Sequence, residues 1–283
     1  MRICDLYKPD KTVVSFEIFP PKKESGAETV YGTVRELSVL RPDFISVTYG
    51  AGGSAREEGF TAEISEYIKD ECRTEALAHL TCAGMRAGDI DSVAADLKRR
   101  GIQNVLALKG DSAVLGDFCY AADLIKTLKT HGFCLGAAAY PEGHITCNAL
   151  ADDIDHLKQK QDSGADFFVT QLFFVNDVFY SFLDKARSSG ISLPISAGVM
   201  PILSRSQIQR MIFMCGASLP SPIIKLINKY GEEGESLVKA GVEYSCRQMQ
   251  DLCDNGVQGI HIYTMNKPFI AEYCMAHLRV QRV

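Results

Sequence analysis

Eight short apolar segments recur along the chain, and their regular spacing constrains the fold more than any other feature of the sequence. Most of them begin about 30 residues after the previous one, which is the length of one strand–helix unit. Apolar runs of this length, bounded by turn-forming residues, are typical of strands that are buried on both faces. The predicted strands are residues 13–20, 43–50, 75–82, 104–110, 134–141, 167–174, 195–201 and 259–265.

The segments between the predicted strands have the pattern of amphipathic helices. Residues 29–40 carry apolar side chains at steps of three and four, which places them on one face of a helix. Residues 89–101 begin with Asp89 as a candidate N-cap and end at Gly101 as a candidate stop. The long interval before the last predicted strand leaves room for an extra helix. Two further helices are predicted within residues 150–164 and 234–256.

Strands buried on both faces and separated by amphipathic helices indicate a parallel sheet. Eight such units predict closure into a single (β/α)8 TIM barrel over residues 1–283, close to the usual size of about 250 residues for this fold. A doubly wound open sheet is the alternative. It is less consistent with eight evenly spaced units, and no GxGxxG motif follows the first strand.

Composition and charge exclude several classes of function. The net charge of −5 provides no basic footprint for nucleic acid. The sequence has no apolar run near the roughly 20 residues that would span a membrane, and its first residues lack the apolar core of a signal peptide, so we expect a cytoplasmic protein. The ten cysteines form no CxxC pair and no zinc-site spacing, and we expect reduced thiols used as small apolar residues.

Glu17 is the most unusual residue of the predicted strands, because it stands inside the apolar run VSFEIFPP. A buried carboxylate is costly unless it is paired, protonated or functional. An apolar setting disfavours the charged form of a carboxyl group, which suits a general acid. Taken alone, Glu17 is equally consistent with pairing to a lysine across the barrel.

Polar side chains collect where the predicted strands end. In TIM barrels the catalytic groups lie at the C-terminal ends of the strands, and seven of the eight predicted ends carry hydrogen-bonding groups. Each residue alone has a structural explanation, such as a core histidine for His79 or a turn residue for Asp111. The joint pattern predicts a wide polar mouth that accepts a large ligand or two. Only the seventh strand, GVMPIL, has no hydrogen-bonding side chain at its end.

The side chains at this mouth narrow the chemistry. The sequence has no GxSxG, HExxH or Walker motif and no histidine pair at metal-ligand spacing, so no metal is expected. Carboxyl groups, amides, tyrosines and a histidine remain. Such a set donates a proton and binds a heteroaromatic cofactor, but electrons or one-carbon units require the cofactor itself.

Seven motifs occur in order, one per strand, between residues 13 and 268: SFEIFPPK, ISVTYGAGGS, HLTC, LALKGD, AAYPEGH, VTQLFF and IHIYTMN. In these the chain resembles the methylenetetrahydrofolate reductase family, in its short prokaryotic form. The resemblance implies a (β/α)8 barrel that uses FAD to reduce 5,10-methylenetetrahydrofolate to 5-methyltetrahydrofolate, with hydride supplied by NADH or NADPH. It also implies a homo-oligomer with a place in one-carbon metabolism and methionine biosynthesis.

The resemblance also implies roles for individual residues. Glu17 matches the general acid, which protonates nitrogen 10 of the folate as its five-membered ring opens to a 5-iminium cation, and Asp111 matches the aspartate beside flavin and pterin. The positions that match the FAD site are Thr48, Tyr49, His79, Lys109, Gly110, Asp111, Tyr120, Ala121, Tyr140, His144, Asp153 and Lys160. The positions that match the substrate side are Gln171, Gln207 and Lys267.

Three departures from the family pattern bear on the electron donor. Lys109 and Lys267 stand where bacterial members have arginine, and Met211 stands where a phenylalanine stacks on folate or nicotinamide. One alternative keeps the folate chemistry but takes electrons from ferredoxin or from a partner subunit with iron–sulfur or flavin centres. A second is a flavin-free methyltransferase barrel that binds pterin, and a third is a non-enzymatic subunit that binds flavin or folate.

Overall fold

Eight parallel strands close into a barrel in the computed structural model of the chain, which describes residues 1–21, 23, 26–49, 55–110 and 116–280. Each strand pairs with the next, and the last pairs with the first. The predicted (β/α)8 barrel is therefore confirmed. The strands are β1 Val13–Ile18, β2 Phe44–Val47, β3 Glu75–Thr81, β4 Asn104–Leu108, β5 Cys134–Ala139, β6 Phe167–Thr170, β7 Ile195–Val199 and β8 Gly259–Tyr263.

Helices follow the strands and form the outer layer. They are α1 Ala27–Val39, α2 Ala55–Asp70, α3 Ala87–Arg99, α4 Ala121–Thr130, α5 Leu150–Asp162, α6 Asn176–Ser188, α7 Arg205–Cys215, α8 Ser221–Tyr230, α9 Glu235–Asp254 and α10 Pro268–His277. None of the helices in the described part of the chain combines the length and apolar character that spanning a bilayer requires.

The connection between β7 and β8 carries three helices, so it adds two to the usual one where a single extra helix was predicted. Gly216 ends α7 in the left-handed conformation with a φ of 70°, and Pro220 is the N-cap residue from which α8 starts. Glycine at this position and proline just beyond it separate α7 from α8.

The predicted N-cap of α3 was wrong by one turn of chain. The helix begins at Ala87 with Arg86 as its N-cap, and Asp89 lies inside the first turn. The Asp89 carboxylate accepts a hydrogen bond of 2.8 Å from the backbone N–H of Arg86. Asp89 therefore closes a capping box from the third helical position, while Gly101 follows the helix end as predicted.

Alternation along β1 divides its side chains between two environments. Val14, Phe16 and Ile18 pack outward into the large core between the strands and the helices. Ser15 and Glu17 point into the barrel, as the two-residue period of a strand requires. The polar residues of the site are thus held by a strand whose other face is anchored in the main core.

The lower end of the barrel, at the N-terminal ends of the strands, is filled. Phe44, Leu77 and Phe167 form an interior cluster there with Ile3 and Leu6 of a short 3-10 turn, Ile3–Leu6. The backbone N–H of Ile3 donates a 2.8 Å hydrogen bond to the side chain of Asn104, a residue of β4. The polar interior therefore opens toward the C-terminal ends of the strands.

Several strands end two to four residues earlier than predicted. β1 ends at Ile18 rather than at Pro20, because the N–H of Phe19 donates to the Asn266 side chain at 2.8 Å and not to a neighbouring strand. β6 ends at Thr170. Residues such as Gln171 consequently lie on the loops at the mouth. All ten cysteines are free thiols, as expected.

Candidate functional site

Glu17 lies between two buried imidazoles inside the barrel. Its Oε2 atom is 3.3 Å from Nε2 of His261 on β8 and 3.6 Å from Nε2 of His79 on β3. The side chains of Glu17, His79 and His261 are 9%, 6% and 1% exposed. Among the described residues, the partners of the carboxyl group are therefore imidazoles and not a lysine across the barrel.

A serine side chain contacts each of the two imidazole rings. Ser15 Oγ lies 2.8 Å from Nδ1 of His261, and Ser46 Oγ lies 2.5 Å from Nε2 of His79. Ser15 and His261 are register partners across the β1–β8 pair. The result is a group of contacting side chains, Ser15, His261, Glu17, His79 and Ser46, that spans the four strands β1, β2, β3 and β8, and we call it the Glu17 cluster.

His261 was missed as a site residue by the sequence analysis. It stands between isoleucines in the strand GIHIY, where it is easily taken for a core position. Its position in the strand was a usable signal. Side chains two residues apart lie on the same face of a strand, so His261 shares the inward face with Tyr263, the last residue of β8. Pairing β8 with β1 then brings that face against Ser15 and Glu17.

Burial lowers the pKa of His79 from 6.5 to about 4. The charge of Glu17 acts in the opposite direction, and the nearby His261 adds to the lowering. Desolvation wins because the imidazolium would lose its hydration inside the barrel. His79 is therefore neutral at neutral pH and contributes hydrogen bonding to the Glu17 cluster, not charge.

The depressed pKa of His79 is expected to make the cofactor-free protein sensitive to acid. The unfolded chain binds a proton at this side chain near pH 6.5, whereas the folded chain resists protonation down to about pH 4. The associated stability is complete above pH 6.5 and is lost as the pH falls toward 4, by up to about 3 kcal/mol. Urea unfolding from pH 7.5 to 4.5 should show a shallower pH dependence in His79→Gln than in the wild type. Equal slopes would contradict this, and His131→Gln on the outer surface is the control.

Space for Tyr263, which lies beside Glu17, comes from β7, the strand without polar side chains at its end. A Cβ added at Gly198 would overlap the carbonyl oxygen of Thr170 and lie 2.9 Å from the Tyr263 hydroxyl oxygen. The Tyr263 hydroxyl donates to that same carbonyl at 2.8 Å, and burial raises the pKa of Tyr263 well above its usual 10. The Tyr263 side chain is therefore uncharged at neutral pH, and it lies beside Glu17. The Thr264 hydroxyl holds the backbone of Glu17 at 2.6 Å.

A second group of predicted site residues surrounds Lys160 of α5. Its Nζ donates a 2.8 Å hydrogen bond to the carbonyl of Ala138 and lies 5.3 Å from the centre of the Tyr140 ring. Burial lowers the pKa of Lys160 from 10.5 to about 8, and the charge of Asp153 partly offsets this. A half-buried amine of this kind favours an anionic ligand.

Asp153 connects Lys160 to the loop that follows β5. Its carboxylate accepts a hydrogen bond from the backbone N–H of His144, whose ring packs edge-on against Tyr140 at 4.7 Å. Tyr120, the N-cap residue of α4, stacks on His156 at 6.4 Å. These five residues, His144, Tyr120, Tyr140, Asp153 and Lys160, therefore occupy one neighbourhood, and their service to one ligand stays a prediction.

Three side chains in this neighbourhood also have the spacing of metal ligands. Ligand atoms of Cys147, Asp153 and His156 lie within 4.8 Å of one another. The half-buried amine of Lys160 acts against a cation there, because the charge of Asp153 already serves to stabilise its protonated form. The donor set around Lys160 fits an anion better than a metal ion.

The other described residues of the predicted FAD site lie after β2, after β4 or at the start of α4. Gly110 packs so closely on Thr81 that a Cβ would lie 2.9 Å from the threonine Cβ, and the carbonyl of Lys109 accepts the N–H of Ala83 at 2.8 Å. Thr48 follows β2, with Tyr49 next to it, and Ala121 is the first residue of α4. Asp111, the second predicted catalytic residue, lies outside the described residues.

The three predicted substrate residues differ in what their side chains do. Gln171 follows β6, and its Oε1 accepts the N–H of Leu172 at 2.9 Å. Gln207 is buried, with its amide bonded to the backbone of Leu203 and Pro201 at 2.8 and 3.1 Å. Its amide supports the loop after β7, and contact with substrate stays a prediction. Lys267 is exposed at the start of α10.

The site is identified by chemistry and not by cavity size. An apolar groove of about 770 Å³ lies on the outer layer between α9 and α10, and none of the predicted site residues lines it. Buried titratable groups that converge at the mouth of a barrel are the stronger indication of an active site.

Comparisons with known proteins identify the family of the chain. Residues 2–277 match the sequence profile of the family described as methylenetetrahydrofolate reductase. Methylenetetrahydrofolate reductase 1 of Schizosaccharomyces pombe is 35% identical over 281 residues, which is 94% of this chain and 46% of the relative. The 5,10-methylenetetrahydrofolate reductase of Escherichia coli K12 is 32% identical over 267 residues, covering 93% of this chain and 89% of the relative.

The chain spans about half the length of the fission yeast and plant relatives that it matches. Among solved structures, a Clostridium thermocellum protein superposes with a TM-score of 0.67 and 15% identity, covering 95% of this chain and 94% of that one. That protein is described as binding two copies of 5-methyl-5,6,7,8-tetrahydrofolic acid. At this identity the likeness supports the fold alone.

Proposed function

The chain belongs to the methylenetetrahydrofolate reductase family, and on that premise we propose that it reduces 5,10-methylenetetrahydrofolate to 5-methyltetrahydrofolate with FAD as bound cofactor. The observation that carries this proposal is a carboxyl group, Glu17, held between two imidazoles at the polar end of the barrel. A carboxyl group in such a place can deliver a proton to a substrate nitrogen.

Glu17 acts as the general acid that opens the folate ring. The O–H bond of its carboxyl group breaks as a bond forms between that hydrogen and nitrogen 10. The electron pair of the bond between nitrogen 10 and the methylene carbon moves to nitrogen 10, and the lone pair of nitrogen 5 forms the double bond of the iminium cation. The resulting carboxylate stabilises this cation through its opposite charge. Water returns a proton to Glu17 after turnover.

The residues around Lys160 have the chemistry that FAD requires. A phosphate oxygen would stabilise the charged form of Lys160, whose described hydrogen bond goes to a carbonyl. The Asp153 carboxylate suits ribose hydroxyls, and the rings of Tyr120 and Tyr140 offer stacking surfaces. FAD, when bound, supplies the hydride transfer that no side chain can perform.

Binding of FAD is expected to be coupled to proton uptake by Lys160. Its pKa is about 8 in the protein without ligand, and a phosphate nearby raises it, so the complex takes up protons most strongly between about pH 8 and 10. Titration calorimetry at pH 9 in two buffers of different ionisation enthalpy measures this uptake. Lys160→Met should abolish it. Lys158→Met, on the same helix but paired with Asp162 at the surface, is the control and should retain it.

An anaerobic absorbance experiment on the isolated protein tests the proposed function. We expect a yellow protein that is bleached by NADH or NADPH and regains its colour when methylenetetrahydrofolate is added. Bleaching that requires ferredoxin or a partner subunit would replace the nucleotide as donor but keep the folate chemistry. A colourless, flavin-free protein that binds folate would contradict the proposal in favour of a methyltransferase. A homo-oligomer and a cytoplasmic location stay predictions.

A further inference from the structure

Two buried thiols face each other between helices α9 and α10 of the outer layer. Cys246 lies on α9 and Cys274 on α10, and their sulfur atoms are 3.3 Å apart. We propose that these two cysteines form a reversible disulfide bond, which fastens α10 to α9 when the protein meets hydrogen peroxide. Neither thiol takes part in the proposed folate reaction, so the oxidation does not depend on that reaction.

The geometry of the pair suits a disulfide bond. Such a bond is about 2.05 Å long, so the two sulfur atoms need to approach each other by only about 1.2 Å. Both side chains belong to the large core, with Cys274 fully buried and Cys246 9% exposed. The two helices pack directly against each other, so small side-chain rotations can supply the approach while the fold is kept.

Cys246 is the thiol that attacks the oxidant. In the neutral pair its S–H donates to the sulfur of Cys274. Once Cys246 has lost its proton, the S–H of Cys274 donates to the thiolate instead, and this hydrogen bond lowers the pKa of Cys246 from its usual 9. Burial opposes the change, and the charge of Arg247 adds to the lowering. The hydrogen bond raises the pKa of Cys274, which therefore stays a thiol until the second step.

Other thiols of the chain are less suited to react. At the lower end of the barrel, Sγ of Cys134 accepts the backbone N–H of Cys4 at 3.4 Å. Burial raises the pKa of both thiols, that of Cys134 to about 12. Burial also raises the pKa of Cys253, further along α9, to about 12. These thiols are protonated at neutral pH, whereas the thiolate is the nucleophile.

An apolar groove gives a small oxidant access to Cys246. The groove of about 770 Å³ between α9 and α10 is lined by Val238 and Val242 on its α9 side and by Tyr273 on its α10 side. Cys246 follows Val242 by four residues, so it lies next along the same helix face. Hydrogen peroxide is small and uncharged, and an apolar lining does not exclude it.

The reaction consumes one molecule of hydrogen peroxide. The Cys246 thiolate attacks a peroxide oxygen, so an S–O bond forms as the O–O bond breaks, and the departing hydroxide takes up a proton as water. Cys246 is then a sulfenic acid. Cys274 attacks its sulfur, the S–S bond forms as the S–O bond breaks, and the leaving hydroxide takes the proton of Cys274 as water. The two thiols lose two electrons to the peroxide, and a thiol reductant reverses the change.

The bond would close a loop in the chain that contains β8. α9 precedes this strand and α10 follows it, and the two cysteines are 28 residues apart in sequence. A cross-link over such a loop restricts the unfolded chain more than the folded one. The melting temperature of the oxidised protein should therefore rise by about 5 °C, and treatment with a reductant should reverse the rise.

The test is peptide mapping of the purified full chain after exposure to hydrogen peroxide, with the remaining thiols blocked before digestion. Trypsin releases Cys246 in residues 240–247, and it leaves Cys253 and Cys274 together in residues 248–279 because it does not cut before proline. We expect these two peptides to be linked, with fragmentation placing the bond at Cys274. Unlinked peptides, or a sulfinic acid at Cys246 without a link, would overturn the proposal.

Variants identify the two partners. Cys246→Ala and Cys274→Ala should each abolish the link and the rise in melting temperature, while Cys253→Ala on α9 should retain both. A link that survives in Cys274→Ala, or a linked wild type that melts at the same temperature as the reduced protein, would contradict the proposed bond. Mapping of the wild type needs no variant, so it decides the question even where a substitution unfolds the chain.

Discussion

Replacing Glu17 with glutamine is expected to slow folate reduction by a factor of about 10²–10⁴. The amide keeps the size of the side chain and can still bond to His261, but it has no acidic proton to give to nitrogen 10. Reduction of the enzyme by its electron donor needs no such proton and should keep most of its rate. Stopped-flow measurement of the two half-reactions on the same preparation separates these effects.

Equal losses in the two half-reactions would contradict the assignment of Glu17 as general acid. The matched control is Glu66→Gln, the same chemical change on α2, where the carboxylate pairs with Arg100 at the surface. It should alter neither half-reaction. Thermal unfolding of both variants should show that the fold is retained, so that lost rate reflects lost proton transfer.

Replacing Gly198 with alanine is expected to destabilise the protein by about 3 kcal/mol or more. The added methyl group would overlap the Thr170 carbonyl oxygen, and it would press against the Tyr263 hydroxyl at 2.9 Å. Neither neighbour can move freely, because the two are bonded to each other across the barrel. Urea unfolding at pH 7.5 measures the loss, and thermal melting should fall by roughly 10 °C.

Gly88→Ala is the matched control, since a Cβ at this position of α3 meets nothing within 4 Å. Alanine there should stabilise the protein by about 0.5–1 kcal/mol through its better helix propensity. Similar effects at both positions would show that the barrel interior tolerates the methyl group. That result would contradict our explanation of why β7 has no polar side chain at its end, which is that Gly198 leaves room for Tyr263.

The strands could be predicted from sequence because each is an apolar run with its own turn signals, and burial on both faces leaves a strong pattern. Their ends could not. Phe19 continues the apolar run in sequence, yet its backbone N–H donates to the side chain of Asn266, a residue remote in the chain. Where a ladder stops depends on such partners. The two helices α7 and α8 are separated by Gly216 and Pro220, whereas the sequence analysis expected one extra helix in this interval.

The residues of the candidate site also differ in whether they could be recognised from sequence. Glu17 is visible in sequence because a carboxylate in an apolar run is conspicuous. His261 is not, because an imidazole between isoleucines reads as core until β8 is known to pair with β1. The lowered pKa of Lys160 is likewise invisible, since it depends on which atoms surround the amine after folding. The assignment of Asp111, and the substrate contact of Gln207, are still predictions from family resemblance.

Ile3 and Leu6 fill the lower end of the barrel together with Phe44 and Phe167, and this filling has a consequence for kinetics. In the described part of the chain these residues close the N-terminal end of the barrel. Molecules that bind near Glu17 therefore enter and leave through the C-terminal end. On the proposed function the electron donor and the folate both use this entrance, and we expect them to bind one after the other. We expect double-displacement kinetics, with parallel lines in double-reciprocal plots and each reactant inhibiting at high concentration by occupying the form of the enzyme meant for the other.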